Sequence, residues 1–177
     1  MQNHQKIRNI AIIAHIDHGK TTLLDALLRY ARIFRENEEV HERVMDSYDQ
    51  EKERGITIFA KHTSIVFEDY KINIIDTPGY DDFSGEVISA LRVADTGVML
   101  INSVMGVEVG TDIIWEYTEQ FKTPMIFAVN KLDDDNADFE KAVREAKSHF
   151  GSNVVVVQYP RQTGAGFHEI IDVLRMT

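Results

Sequence analysis

Apolar and polar positions along this chain alternate between two periods. Short β-branched runs occupy residues 8–14 (RNIAIIA), 61–67, 71–76, 97–103, 124–130 and 153–159, and each reads as a strand. Between them lie segments whose apolar residues recur every three to four positions. Residues 21–34 place Leu23, Leu24, Leu27, Leu28 and Ala31 at helical spacing, and residues 85–94, 109–121, 137–150 and 166–176 also read as helices. Only Glu68, Asp69 and Tyr70 separate strands 61–67 and 71–76, which makes them neighbours. This order predicts an α/β fold, a doubly wound and mostly parallel sheet of about six strands with helices on both faces. In such sheets ligands bind at the carboxyl ends of the strands. Residues 35–54 break the pattern. They are dense in charge, hold no glycine or proline, and read either as a solvated helix or loop or as a loop that orders over a ligand.

A chain of 177 residues fits one domain, here 1–177, long enough to bury a core without staples. The absence of cysteine excludes a disulfide framework, a zinc-finger type site and thiol chemistry, and is compatible with a reducing cytoplasm. Residues 1–8 lack the apolar stretch of a secretory signal, and no apolar run approaches the roughly 20 residues of a membrane helix. A soluble, cytoplasmic protein without membrane contact is expected. The formal net charge of −10 argues against a nonspecific nucleic-acid binder, though not against docking on RNA through a small local surface.

The chemistry-bearing residues fall at the ends of predicted strands. After the first strand comes Ala14-His15-Ile16-Asp17-His18-Gly19-Lys20-Thr21-Thr22, a phosphate-binding loop with alanine at its usual first glycine. Successive backbone N–H groups make an anion-binding concavity, and the following helix aims its positive end at the phosphates. Gly19 permits close backbone approach, Lys20 reaches the β- and γ-phosphates, and the Thr21 hydroxyl coordinates Mg²⁺. His15 and His18 read as packing residues of this loop rather than catalysts.

Strand 71–76 ends in Asp76-Thr77-Pro78-Gly79. Asp76 is suited to holding the metal through water, and the Gly79 N–H to donating to a γ-phosphate. Upstream, Thr57 in Arg54-Gly55-Ile56-Thr57-Ile58 offers a second hydroxyl to Mg²⁺, in a loop that loss of the γ-phosphate would release. Strand 124–129 delivers Asn130-Lys131-Leu132-Asp133. A carboxylate at Asp133 accepts both N1–H and the exocyclic N2–H of guanine. Adenine offers neither in that arrangement, so its pairing leaves a buried carboxylate unsatisfied. Lys131 lies along the base plane and Asn130 ties the loop back to the phosphate loop. Asp134 and Asp135 read as solvated charges.

These motifs, in this order, resemble a translational GTPase. Further strings, among them Ala14-His15-Ile16-Asp17, Glu53-Arg54-Gly55-Ile56-Thr57-Ile58, Gly106-Val107-Glu108-Val109-Gly110-Thr111 and Trp115-Glu116-Tyr117, are similar to the N-terminal G domain of the elongation factor G family over nearly the whole chain. The resemblance implies GTP and GDP as ligands, Mg²⁺ as cofactor, the ribosome as partner, a monomer, no sequence-specific nucleic-acid contact, and a role in moving tRNA and mRNA. It implies that Ile16 and Ile56 flank the attacking water and that Asp17 lies near the phosphates and metal.

The chain departs from the family at two places. The family's catalytic motif ends in histidine, where this chain has Tyr80. A tyrosine hydroxyl is neutral near pH 7, with a reference pKa of about 10, so slow or absent hydrolysis is expected behind intact GTP binding. No serine-alanine-lysine-like loop follows residues 153–159, which predicts a fragment of a longer chain lacking its last guanine contact, with weakened guanine affinity. Alternative readings are a docking switch that works by GTP occupancy, a ribosomal-protection or rescue factor, and an unrelated P-loop kinase. The tetrapeptide at residues 130–133 speaks against the kinase.

Overall fold

The computed structural model describes residues 6–31, 60–79 and 84–177. The elements in order are β1 (Ile7–Ala14), α1 (Lys20–Tyr30), β2 (Lys61–Phe67), β3 (Tyr70–Asp76), α2 (Ser84–Leu91), β4 (Thr96–Asn102), α3 (Val109–Phe121), β5 (Met125–Asn130), α4 (Phe139–Phe150), β6 (Gln158–Pro160) and β7 (Ile170–Asp172). The main sheet runs β2-β3-β1-β4-β5. β1 lies parallel to β3 and β4, β5 is parallel to β4, and β2 alone is antiparallel, folded back on β3. The α/β architecture read from the apolar periods is therefore the one observed.

The burial of β1 explains its composition. Ala11, Ile12, Ile13 and Ala14 are almost wholly shielded from solvent because helices cover both faces of the sheet, and a two-sided strand has no polar side to offer. Alternation along the strands splits the core in two. Ala11 and Ile13 pack with Ile75, Met99 and Ile101 beneath α2, α3 and α4. Ile12 and Ala14 pack with Ile74 and Leu100 against Leu24 and Leu28 of α1. On the first face, Phe150 stacks on Phe127 at 4.9 Å between ring centroids and lies 4.9 Å from Trp115, which fixes α4 to β5. Asp138 starts α4 by accepting a hydrogen bond from Lys141 N at 2.8 Å.

Two expectations at the C-terminal end are corrected. Residues 153–159 add no sixth strand to the main sheet. Only Gln158–Pro160 is extended, and it pairs antiparallel with β7 in a separate two-stranded ribbon, leaving five strands in the main sheet. The ribbon is drawn to α4 instead. Tyr159 packs edge-on against Phe139, and its hydroxyl donates to Glu140, a bond that pushes the phenol pKa above its ordinary value.

Residues 166–176 form no helix, although Phe167, Ile170, Ile171 and Leu174 have helical spacing. The Asp172 carboxylate accepts from the N–H groups of Leu174 and Arg175, both at 3.0 Å. Those are the amides a helix would pair with the carbonyls of Ile170 and Ile171, so a local side-chain turn wins over the helix. The charged stretch 35–54 and the end of the segment read as helical to residue 34 lie outside the described residues.

Candidate nucleotide-binding site

Because β1, β3, β4 and β5 run parallel, their carboxyl ends share one rim of the sheet. Ile12 stands opposite Asp76, Ala14 opposite Leu100, and Asn102 opposite Asn130. The phosphate-loop residues, the acidic end of β3 and the tetrapeptide after β5 are thereby brought together by register alone.

The loop leaving β1 turns through two left-handed residues, Asp17 at φ 59° and Gly19 at φ 89°. Gly19 occupies the N-cap of α1 and no side chain caps that helix end, so its first amides face the rim. A side chain at Gly19 is strained by its φ, and because a Cβ there would stand 2.4 Å from Asn130 Nδ2, the Asn130 amide would have to shift. That same Nδ2 donates to the His18 carbonyl at 2.8 Å, so Asn130 ties the strand end of β5 to the phosphate loop as the sequence predicts. Lys20 and Asp76 meet across the loop, with Nζ 2.9 Å from Oδ1 and both residues buried. Thr77 locks the turn after β3 by donating its hydroxyl to the Ile12 carbonyl at 2.9 Å. At Gly79 a Cβ would lie 3.1 Å from the Ala14 carbonyl, so this peptide runs close beside the phosphate loop.

His18 is 1% exposed and both ring nitrogens are engaged. Nδ1 lies 3.1 Å from the Leu100 carbonyl and Nε2 lies 2.6 Å from Glu108 Oε2. His15 Nε2 is 4.0 Å from the other oxygen of the same carboxylate. Both histidines thus pack the loop against α3. Glu108 is absent from the site residues expected from sequence. It stands at the N-cap of α3, yet its side chain makes no cap bond and reaches His18 instead. Its own loop is held from α4, where Glu145 accepts from Val107 N at 3.0 Å and Lys141 donates to the Val104 carbonyl at 3.1 Å.

Replacing Glu108 by alanine removes the acceptor of a buried ring nitrogen, so a loss of about 1–3 kcal/mol in folding free energy is expected. Urea unfolding checks it, and an unchanged midpoint contradicts it.

The tetrapeptide after β5 is shaped by Ser103, a second residue that sequence reasoning missed. Ser103 N donates to the Asn130 carbonyl at 3.0 Å and its hydroxyl donates to the Lys131 carbonyl at 2.7 Å. Lys131 is left-handed at φ 59° and half-buried and Leu132 is buried, but Asp133 is exposed on the rim, which corrects the expectation of a buried carboxylate: the turn at Lys131 sends Leu132 inward and Asp133 out past the strand end. Asp134 and Asp135 are exposed, in line with their reading as solvated charges.

Ile16 and Asp17 lie on the phosphate loop, and Thr21 and Thr22 in the first turn of α1. Ile56, Thr57 and Tyr80 lie outside the described residues. Among the described residues no group of three or more His, Cys, Asp or Glu gathers to hold a metal alone. The oxygen donors of Thr21 and Asp76 fit Mg²⁺, which keeps waters and binds through one or two protein oxygens plus phosphates.

Residues 5–176 match the family described as Elongation factor Tu GTP binding domain. The chain is 44% identical over 172 residues to elongation factor G of Salinibacter ruber (strain DSM 13855 / M31), covering 96% of this chain and 24% of that protein. It is 47% identical over 133 residues to a putative chloroplastic elongation factor TypA-like protein of Arabidopsis thaliana, covering 75% of this chain and 20% of the relative. It is 46% identical over 142 residues to the large ribosomal subunit assembly factor BipA of Buchnera aphidicola subsp. Schizaphis graminum, covering 80% and 23%. A crystal structure of a protein from Thermus thermophilus superposes with a TM-score of 0.86 at 29% identity, covering 96% of this chain and 26% of that one. The chain spans a quarter or less of the length of these sequence relatives. No helix among the described residues is long and apolar enough to cross a membrane. With its family match over residues 5–176, and with the loop after β1, Asp76 of β3 and residues 130–133 on one rim, the chain belongs to the Elongation factor Tu GTP binding domain family, as an elongation factor G-like translational GTPase G domain.

Proposed function

We propose that this domain holds GTP or GDP with Mg²⁺ for a ribosome-associated, translocation-type elongation factor acting in the cytoplasm as a monomer, with slow GTP hydrolysis because Tyr80 stands in the place of the family's histidine. The observation that carries the nucleotide reading is the 2.8 Å bond from Asn130 Nδ2 to the His18 carbonyl, which makes base reader and phosphate loop a single unit.

In this reading the backbone amides around His15–Thr22 cradle the phosphates and Lys20 neutralises the β- and γ-oxygens. Thr21, Thr57 and Asp76 would hold Mg²⁺. Bound Mg²⁺ supplies charge neutralisation along the phosphates. Gly79 N–H donates to the γ-phosphate, its nearness to Ala14 favouring that role. Ile16 and Ile56 flank the attacking water, and Asp17 sits beside the metal. Asp133 selects guanine, Lys131 supports the base plane, and His15, His18 and Thr22 keep the loop in shape.

A second reading, a switch that docks by GTP occupancy without turnover, is favoured specifically by Tyr80. The resemblance to a protein named as a ribosomal subunit assembly factor makes ribosome maturation a third setting for the same site. Cosedimentation of the full-length protein with ribosomes tests the partner. Retention with a nonhydrolysable GTP analogue and release with GDP is expected, and equal behaviour with both contradicts the proposal.

A further inference from the structure

The connection from β6 to β7 crosses the rim beside the base-reading loop. Gly164 N donates to the Leu132 carbonyl at 2.8 Å, and Thr163 Oγ1 donates to the Ala137 carbonyl at 3.1 Å. The Gly164 backbone runs close enough that a Cβ there would lie 3.9 Å from Asp135 Cα. Gly164 is left-handed at φ 88°, and its carbonyl accepts from Phe167 N at 2.9 Å, which closes the turn on itself. From the other side Ser103 holds the same loop through the Lys131 carbonyl at 2.7 Å and through Asp138 N at 3.0 Å.

Asp133 sits between these two clamps. Its own side chain is exposed while its neighbour Leu132 is buried. An exposed carboxylate discriminates between bases only when its main chain does not yield toward a poorer partner, and the clamps supply that stiffness.

We infer that the turn at Thr163 and Gly164 is a specificity-determining positioning element, which fixes Asp133 for guanine through the Leu132 and Ala137 carbonyls without touching the nucleotide. The inference rests on the reading of residues 130–133 as the base-recognition element. Gly164 is needed because a side chain is strained at φ 88° whatever the space around it. Thr163 is needed for its hydroxyl.

The test measures affinities of GDP and of inosine diphosphate, which lacks only the exocyclic amino group, for the full-length protein and its Gly164→Val and Thr163→Val variants. Inorganic tripolyphosphate serves as a probe of the phosphate loop alone. The native protein is expected to favour GDP by about 10–100-fold, the worth of one hydrogen bond to a charged group. Gly164→Val should bring that ratio toward one, and Thr163→Val should lower it by about 2–10-fold, with tripolyphosphate affinity unchanged in both. Should Gly164→Val fail to fold, Thr163→Val decides alone. A native ratio kept in the variants, or one that falls only together with tripolyphosphate affinity, overturns the inference. A native protein indifferent to the amino group overturns instead the base-recognition reading beneath it.

Discussion

Replacing Tyr80 by histidine is expected to raise ribosome-stimulated GTP hydrolysis by the full-length protein by about 10²–10³-fold, the usual worth of one group that orients or stabilises charge at the reacting centre. A phenol near neutral pH carries no charge to set against the phosphates, its reference pKa being about 10. Its ring is also longer than imidazole, so its oxygen falls at a different distance from the main chain. In the family this chain resembles, a histidine at this point of the motif positions water. GDP and GTP affinities should stay within a few-fold of native, because the phosphate loop and base reader are untouched. Single-turnover rates on ribosomes check the result. Equal rates for the Tyr80 protein and Tyr80→His contradict it.

Lys20→Ala should be the most damaging substitution at the rim. Lys20 Nζ lies 2.9 Å from Asp76 Oδ1, and that carboxylate is 0% exposed. Taking away the cationic partner of a buried carboxylate costs about 3–5 kcal/mol of folding stability. Under the proposed function the same change also removes the ammonium that meets the phosphates. Lys20→Arg keeps the charge, but its planar fork does not match a single point contact in a buried slot. Lys20→Ala is therefore expected to lower both the unfolding midpoint in urea and GTP affinity, while Lys20→Arg mainly lowers affinity. A Lys20→Ala protein of native stability contradicts the account of the pair.

The parts of the fold legible in the sequence are those whose cause is local. A continuous apolar run such as residues 10–14 has few alternatives to a strand covered on both sides, and Ala11–Ala14 of β1 have that burial. Helical spacing over residues 109–121 matches α3 at both ends. The spacing of Gly19, Lys20, Asp76 and Asn130 marks a rim, and parallel register brings them to it.

What is not legible depends on partners far away in the chain. Glu108 meets His18 across 90 positions, and nothing local distinguishes it from any acidic residue ahead of a helix. Ser103 shapes the Lys131 turn across 28 positions and reads in sequence as the last residue of a strand. Residues 166–176 read as a helix but form none because Asp172 takes two amides that a helix needs, a competition the apolar period does not record. Residues 153–159 have the β-branched run of a sheet strand. Contacts with α4 and pairing with β7 draw their end into a separate ribbon.

The central claim, that Asp133 chooses the purine for a phosphate loop built around Lys20, is most directly tested by competition for labelled GDP in the presence of Mg²⁺. Unlabelled GTP or GDP should displace the label at concentrations lower than ATP or ADP by about 10²–10⁴-fold, the worth of two hydrogen bonds to a charged carboxylate. Displacement by adenine nucleotides at matching concentrations would contradict the account.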